Sequence, residues 1–127
     1  MYYICTMREL IKTPEFDEFY NSVSERVQEK IKYILFMMEE LPVINTKFVK
    51  KLENSEYYEM RISVGNEYRV ILFTVDIANF MQAKTVLLLN GFLKKSTKDY
   101  KAQIEKADKI KSAYYETEDE HGEDSEA

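Results

Sequence analysis

Charged side chains recur at regular spacing along the strands predicted for the second half of the chain. Glu59 and Arg61 alternate with apolar residues, so both lie on one face of a predicted strand. Arg69 lies near the start of the next strand, and the lysines of residues 94–98 follow the last one. An antiparallel meander would bring these cations onto one surface. Such a cluster can hold a phosphodiester, because arginine's forked donors bind phosphate oxygens and stabilise developing negative charge.

The same residues also have structural interpretations. Arginines and lysines on an edge strand keep that edge soluble. Glu59 either pairs with Arg61 or accepts a proton in catalysis. Further candidates for nucleic-acid contact, with solubilising surface charge as the alternative, are Lys47, Lys50, Lys51 and Lys98.

The composition excludes several kinds of chemistry. His121 is the only histidine and Cys5 the only cysteine. An ordinary zinc site and a Ser-His or Cys-His nucleophile pair therefore cannot be assembled. The three glycines are too scattered for a phosphate-binding glycine loop. We expect no metal and no cofactor, and an enzyme of this composition would use Lys, Arg, Tyr and carboxylate groups.

The formal net charge of -5 combines two different regions. Residues 116–127 contain seven acidic residues and no Lys or Arg. Without them the chain has 18 basic and 16 acidic residues, and residues 44–115 alone have 13 basic and 8 acidic ones. This basic second half favours an anionic partner. We therefore predict a domain, residues 1–115, followed by an acidic tail, residues 116–127, that we expect to be disordered.

Hydrophobic periodicity predicts an α+β domain with the element order β-α-α-β-β-β-α. Thr13 and Pro14 are typical of a helix start, and Pro42 ends the second helix. These helices form an N-terminal hairpin on which a small antiparallel sheet packs, and another helix follows at the C-terminus. The predicted strands cover residues 2–7, 57–63, 68–75 and 84–90, and the predicted C-terminal helix covers residues 99–115.

The sequence also bears on location in the cell. Its start, MYYICTMREL, lacks the basic residues and long apolar run of a signal peptide. No apolar stretch reaches the roughly 20 residues that a membrane helix requires. We expect a cytoplasmic protein without membrane contact.

Two segments carry a resemblance to a known family. They are KKLENSEYYEMRISVGNEYRVILF, residues 50–73, and VLLLNGFLKKSTKDYKAQIEKA, residues 86–107. The order and spacing of their motifs resemble the RelE/HigB superfamily of toxins, in its phage-derived HigB-like branch. With the preceding helical hairpin the resemblance covers roughly residues 1–115.

The resemblance implies a microbial ribonuclease fold and a type II toxin that acts as an mRNA interferase. Such toxins typically enter the ribosomal A site, where the ribose 2′-OH attacks the neighbouring phosphate and leaves a cyclic phosphate and a 5′-OH. The family needs no metal. The implied partners are mRNA, the ribosome and a cognate helix-turn-helix antitoxin.

The family's site residues can be carried over where the motifs match. Arg69 matches the arginine that grips the phosphate, and Arg61 matches a basic residue at the end of the preceding strand. Lys94 or Lys95 falls where the family places a basic residue after the last core strand. Tyr100 falls where RelE-type members carry a tyrosine that stacks on or activates the nucleotide.

The chain also departs from the family's pattern. Tyr58 and Glu59 replace a lysine pair of RelE-type members, and HigB-like members often have proline where Tyr100 stands. Packing at a helix start is therefore the alternative role for Tyr100. The general base stays open between Glu59, Tyr100 and a lysine with a lowered pKa. Two other functions compete with RNA cleavage: a ParE-like inhibitor of DNA gyrase, and a non-catalytic binding module.

Overall fold

The computed structural model describes residues 7–126, and their side chains as far as Thr117. Three helices pack on a five-stranded sheet whose strand order is β1-β5-β4-β3-β2. The elements in chain order are β1 (Glu9–Lys12), α1 (Pro14–Ser22), α2 (Glu25–Glu40), β2 (Val49–Lys51), β3 (Tyr58–Val64), β4 (Asn66–Thr74), β5 (Thr85–Leu93) and α3 (Asp99–Glu126). The predicted α+β class is confirmed, and the element order is approximately as predicted.

The two N-terminal helices begin at polar caps. The Thr13 side chain accepts a hydrogen bond from the Phe16 amide (3.2 Å), with Pro14 in the first turn, as the sequence predicted. Ser24 caps α2 in the same way through the Val27 amide. Each helix turns an apolar stripe toward the sheet, because residues three and four apart share one helix face.

The sheet separates two apolar layers. One face of β3, β4 and β5 packs against α1 and α2, and the opposite face packs against α3. Side chains alternate between these layers along β3, where Met60 and Ile62 face α2 while Glu59 and Arg61 point the other way. The polar groups singled out in the sequence therefore lie on the α3 side of the sheet.

Several elements differ from their predicted positions. The strand predicted for residues 2–7 lies outside the described residues except for Met7, which is in a bend. The first described strand is β1, and it pairs in parallel with β5, so the sheet is mixed rather than wholly antiparallel. The short strand β2 was not predicted, because three residues are too few to show a period of two.

The last strand and the last helix are longer than predicted. β5 continues to Leu93 because it pairs with β4 through that residue. Helix α3 continues beyond Tyr115 to Glu126, where the sequence predicted a disordered tail. The division of the chain after residue 115 stays a prediction.

A buried guanidinium connects three parts of the fold. Arg8 is 1% exposed and donates from Nη1 to the carbonyls of Met38 (3.0 Å) and Leu41 (2.7 Å) at the end of α2. It also donates to the carbonyls of Pro42 (2.8 Å) and Phe80 (3.2 Å), and it lies 4.5 Å from the Phe80 ring centroid. Burial lowers the pKa of Arg8. The carbonyl dipoles at the C-terminus of α2 oppose this effect and stabilise the charge, because a cation is favourable at a helix C-terminus.

Gly91 allows α1 to approach the backbone of β5. A Cβ atom added at Gly91 would fall among the ring carbons of Phe19. We expect Gly91→Ala to lower the free energy of unfolding by about 1–3 kcal/mol, since overpacking forces neighbouring groups to shift. Chemical denaturation measures this change. In a Phe19→Ala background the same substitution should cost almost nothing, and equal costs in both backgrounds would contradict the steric explanation.

Candidate active site

Two adjacent strands and the first turn of a helix bring the candidate catalytic residues together. Arg61 of β3 lies directly opposite Arg69 of β4 in the antiparallel register. Glu59 is two residues before Arg61 on the same strand face. Tyr100, in the first turn of α3, reaches across to this face of the sheet. We call Glu59, Arg61, Arg69 and Tyr100 the sheet cluster.

Glu59 lies at the centre of the sheet cluster and is only 5% exposed. Its Oε2 accepts a hydrogen bond from the Tyr100 hydroxyl at 2.5 Å. Its Oε1 lies 3.4 Å from Nε of Arg61 and 3.8 Å from Nε of Arg69. The buried carboxylate is therefore compensated by two guanidinium groups and a phenol, which buried charges require.

Arg69 is 2% exposed and makes contacts on several sides. Its Nε donates to the Tyr100 hydroxyl (3.2 Å), and its Nη1 donates to the Tyr68 carbonyl (2.9 Å) and to Oε1 of Glu67 (3.2 Å). A hydrogen bond from Ser63, and then the contact with Arg69, lower the pKa of Glu67. Glu67 was not predicted from the sequence, although its position two residues before Arg69 in one strand places both side chains on the same face.

Tyr100 acts as a hydrogen-bond donor in the sheet cluster. Burial and the hydrogen bond to Glu59 raise the pKa of Tyr100 to about 12, so the phenol is protonated at neutral pH. Its ring packs edge-on against Phe92, with centroids 5.7 Å apart. Lys94 Nζ lies 5.5 Å from the centroid of the Tyr100 ring. Tyr100 therefore combines packing at the helix start with direct contact to both Glu59 and Arg69.

Contacts farther along α3, with the residues just before β3, hold the helix and with it Tyr100 in place. The Tyr57 hydroxyl donates to Asp108, and burial together with this contact raises the pKa of Tyr57 strongly. Lys111 Nζ forms an ion pair with Glu56 at 2.6 Å. These contacts lie two turns or more from the first turn of α3, so they fix the direction of the helix axis.

The candidate lysines take different positions around the sheet cluster. Lys94 is next to Tyr100, whereas Lys95 and Lys98 are exposed in the loop before α3, where their backbone amides donate to Asp99 Oδ2 and Ser96 Oγ. Lys50 of β2 lies opposite Glu59 in the β2–β3 pair. Lys51 contacts the Ser55 carbonyl and lies 5.5 Å from the Tyr58 ring centroid, while Lys47 lies over Phe48.

The chemistry available here consists of cation donors, one carboxylate and one phenol. The Arg61 side chain is 31% exposed, so an anion reaches its guanidinium before that of Arg69. Arg69 is more deeply buried and is already paired with Glu59 and Glu67. Among the residues that the structure describes, no group of three or more His, Cys, Asp or Glu side chains could hold a metal ion. This arrangement can bind an anion such as a phosphodiester and exchange a proton at Glu59.

A comparison with protein families identifies the group to which the chain belongs. The model for the family described as "Phage derived protein Gp49-like (DUF891)" matches residues 18–112. The chain is therefore a member of this phage-derived family, which is of RelE/HigB toxin type. The resemblance noted in the sequence is confirmed. No curated protein matches the chain.

Solved structures with similar architecture include two RelE proteins. A mutant of the E. coli toxin RelE in the free state superposes with a TM-score of 0.56 at 16% identity, covering 82% of this chain and 96% of that one. The RelB-RelE antitoxin-toxin complex from Methanococcus jannaschii contains a chain that superposes with a TM-score of 0.50 at 22% identity, covering 71% and 96%. The fold is therefore that of RelE. None of the described helices is long and apolar enough to cross a membrane.

Proposed function

We propose that this protein is the toxin of a type II toxin–antitoxin system and that it cleaves mRNA as a metal-independent endoribonuclease. The observation that carries the proposal is the sheet cluster, in which two arginines flank one buried carboxylate on a RelE-like sheet. Phosphoryl transfer depends mainly on positioning and on stabilising negative charge, which such a cluster provides.

The roles follow from exposure and protonation. Arg61 makes the first contact with the scissile phosphate, and Arg69 stabilises the charge that develops on its oxygens. The ribose 2′ oxygen attacks phosphorus while its proton is transferred to a base. The bond to the 5′ oxygen breaks, and that oxygen leaves with a proton from solvent. The products are a 2′,3′-cyclic phosphate and a 5′-OH.

Among the three candidates for the base, Glu59 is the one we propose. Tyr100 holds its proton at neutral pH and donates it to Glu59 in a hydrogen bond, so it serves to orient the carboxylate. Lys94, over the Tyr100 ring, contributes positive charge beside the leaving group. Because Glu59 and Arg69 are enclosed in this structure, substrate must displace Glu67 or shift the first turn of α3 to reach them.

The proposed partners are mRNA, the ribosome and an antitoxin. The RelB-RelE complex with the same fold supports an antitoxin partner. We propose that this antitoxin is a small helix-turn-helix protein that covers the sheet cluster and the lysines around it. A cytoplasmic location follows from this function.

The test is cleavage of a defined mRNA by the purified chain, with and without programmed ribosomes, mapped by primer extension. We expect discrete cuts with 5′-OH ends from the wild type. Arg61→Ala should lower the cleavage rate by about 10²-fold or more. Lys109→Ala, which removes an exposed cation elsewhere on α3, should leave the rate unchanged.

A failure to cleave mRNA would also discriminate between the competing functions. Intact mRNA under all conditions, with folded protein and active ribosomes, would reject the nuclease proposal. A DNA supercoiling assay with gyrase would then separate gyrase inhibition from a purely binding role.

A further inference from the structure

A second aromatic and basic site lies on α2, outside the sheet cluster. Tyr33 is on the outer side of α2 and is 52% exposed. Its ring makes an edge-to-face contact with Phe48, with centroids 6.2 Å apart and an interplanar angle of 80°. Phe48 is half-buried just before β2, so it fixes the ring of Tyr33 from one side.

Cations surround this aromatic pair. Lys30 Nζ lies 5.4 Å from the Tyr33 centroid and 5.2 Å from the Phe48 centroid. Lys47 Nζ lies 5.0 Å from the Phe48 centroid. We call Lys30, Tyr33, Lys47 and Phe48 the Tyr33 platform. A shallow open depression beside it is also lined by Arg26, which adds a positive charge, and by Glu29, which pairs with Lys32.

The Tyr33 platform is connected to the sheet cluster around the edge of the sheet. The Arg61 amide donates to the Phe48 carbonyl at 2.7 Å, so the backbone that carries Phe48 lies directly beside Arg61. β2 is the edge strand next to β3, and its Lys50 lies opposite Glu59. The edge strand β2, which carries Lys50, therefore lies between the sheet cluster and the Tyr33 platform.

Single-stranded nucleic acid binds to exposed aromatic rings that lie between cations. Bases stack on aromatic side chains while lysines contact the phosphates on either side. A duplex offers no free base faces to such a ring, so a double-stranded ligand would gain only the charge contacts. An aromatic side chain that served packing alone would be more stable if it were fully buried, whereas Tyr33 is 52% exposed.

We propose that the Tyr33 platform is a stacking subsite for one base of the single-stranded RNA, several nucleotides away from the scissile phosphate. This inference rests on the proposed function, because it assumes that the same strand occupies the sheet cluster. Lys30 and Lys47 contact the phosphates that flank the stacked base, and Phe48 holds the Tyr33 ring in place.

The first experiment uses the absence of tryptophan from the chain. Tyr33→Trp introduces a single fluorophore into the full-length protein, and a stacked base quenches its emission. The probe is a 2′-O-methyl RNA of about 12 nucleotides, within the range that single-strand binding sites cover. Lacking a free 2′-OH, the probe cannot be cut by the proposed mechanism. We expect quenching that saturates with RNA and is lost when the probe carries abasic positions.

The second experiment measures affinity by the anisotropy of the labelled probe. Tyr33→Leu keeps an apolar side chain but removes the ring, and we expect about 5- to 100-fold weaker binding. Lys30→Gln should also weaken binding. Lys32→Gln is the matched control on the same helix, because Lys32 pairs with Glu29 and lies outside the platform. It should change affinity by less than a factor of about two.

The outcomes separate this inference from the proposed function. Cleavage of mRNA with no quenching at Tyr33→Trp would overturn the stacking subsite and leave the nuclease proposal standing. Equal quenching by the abasic probe would also overturn it, because charge alone would then explain binding. Base-dependent quenching without any mRNA cleavage would support the platform and reject the nuclease. An absence of RNA binding at low salt would overturn the stacking subsite, whereas the nuclease proposal would still be decided by the cleavage assay with ribosomes.

Discussion

Replacing Arg69 with alanine is expected to lower the free energy of unfolding by about 3–5 kcal/mol and to abolish RNA cleavage. The stability loss follows from burial, since Arg69 is 2% exposed and helps to compensate the equally enclosed Glu59. Removing one member of a buried ion pair costs about that much, and Glu59 would keep only the partly exposed Arg61 and the Tyr100 hydroxyl as partners. Thermal and urea denaturation measure the change.

A second substitution separates folding from catalysis. Arg69→Lys keeps the positive charge, but a single ammonium cannot reach Glu59, Glu67 and the Tyr100 hydroxyl at once. We expect a folded protein whose cleavage rate is lower by about 10²–10³-fold. Full activity in folded Arg69→Lys would exclude Arg69 from phosphate binding. Loss of activity only where the protein unfolds would assign Arg69 a structural role alone.

Replacing Arg8 with methionine is expected to lower the free energy of unfolding by at least about 3 kcal/mol without any direct effect on the sheet cluster. The five carbonyls to which Arg8 donates would lose that donor, and each buried group left unsatisfied costs about 1–3 kcal/mol. Removing the buried charge recovers its desolvation cost, which is several kcal/mol. We expect the lost carbonyl contacts to outweigh this recovery, so that Arg8→Met is destabilised.

Controls for Arg8 come from a conservative change and from an exposed arginine. Arg8→Lys retains the charge with fewer donors, so its free energy of unfolding should lie between those of the wild type and Arg8→Met. Arg26→Met removes an exposed arginine on α2 and should change stability by less than about 0.5 kcal/mol. If Arg8→Met proved as stable as the wild type, the desolvation of the guanidinium would fully offset its hydrogen bonds. The hydrogen bonds from Arg8 to the surrounding carbonyls would then make no net contribution to stability.

The local parts of the fold could be predicted from the sequence because their causes lie within a few residues. Thr13 and Pro14 determine where α1 begins, and the structure shows the expected hydrogen bond from the Phe16 amide. Alternation along β3 predicted that Glu59 and Arg61 share one face, and the hairpin around Gly65 then places Arg61 opposite Arg69. Composition alone excluded histidine chemistry.

The burial of the site could not be predicted, because it depends on residues far apart in the chain. Glu59 meets Tyr100 across 41 residues, and Arg8 meets Phe80 across 72. Nothing near Arg8 in the sequence indicates that a guanidinium will be enclosed by the end of α2 and a distant loop. The parallel pairing of β1 with β5 is equally non-local.

The sequence by itself therefore determined which chemistry is possible, which strand faces carry it and which family the chain resembles. The tertiary structure decided which of those groups meet, which are exposed, and that Tyr33 and Lys30 meet Phe48 at the side of α2. The physical reason is that alternation and capping are set by neighbouring residues. Desolvation and ion pairing, by contrast, depend on everything that packs around a group after the chain has folded.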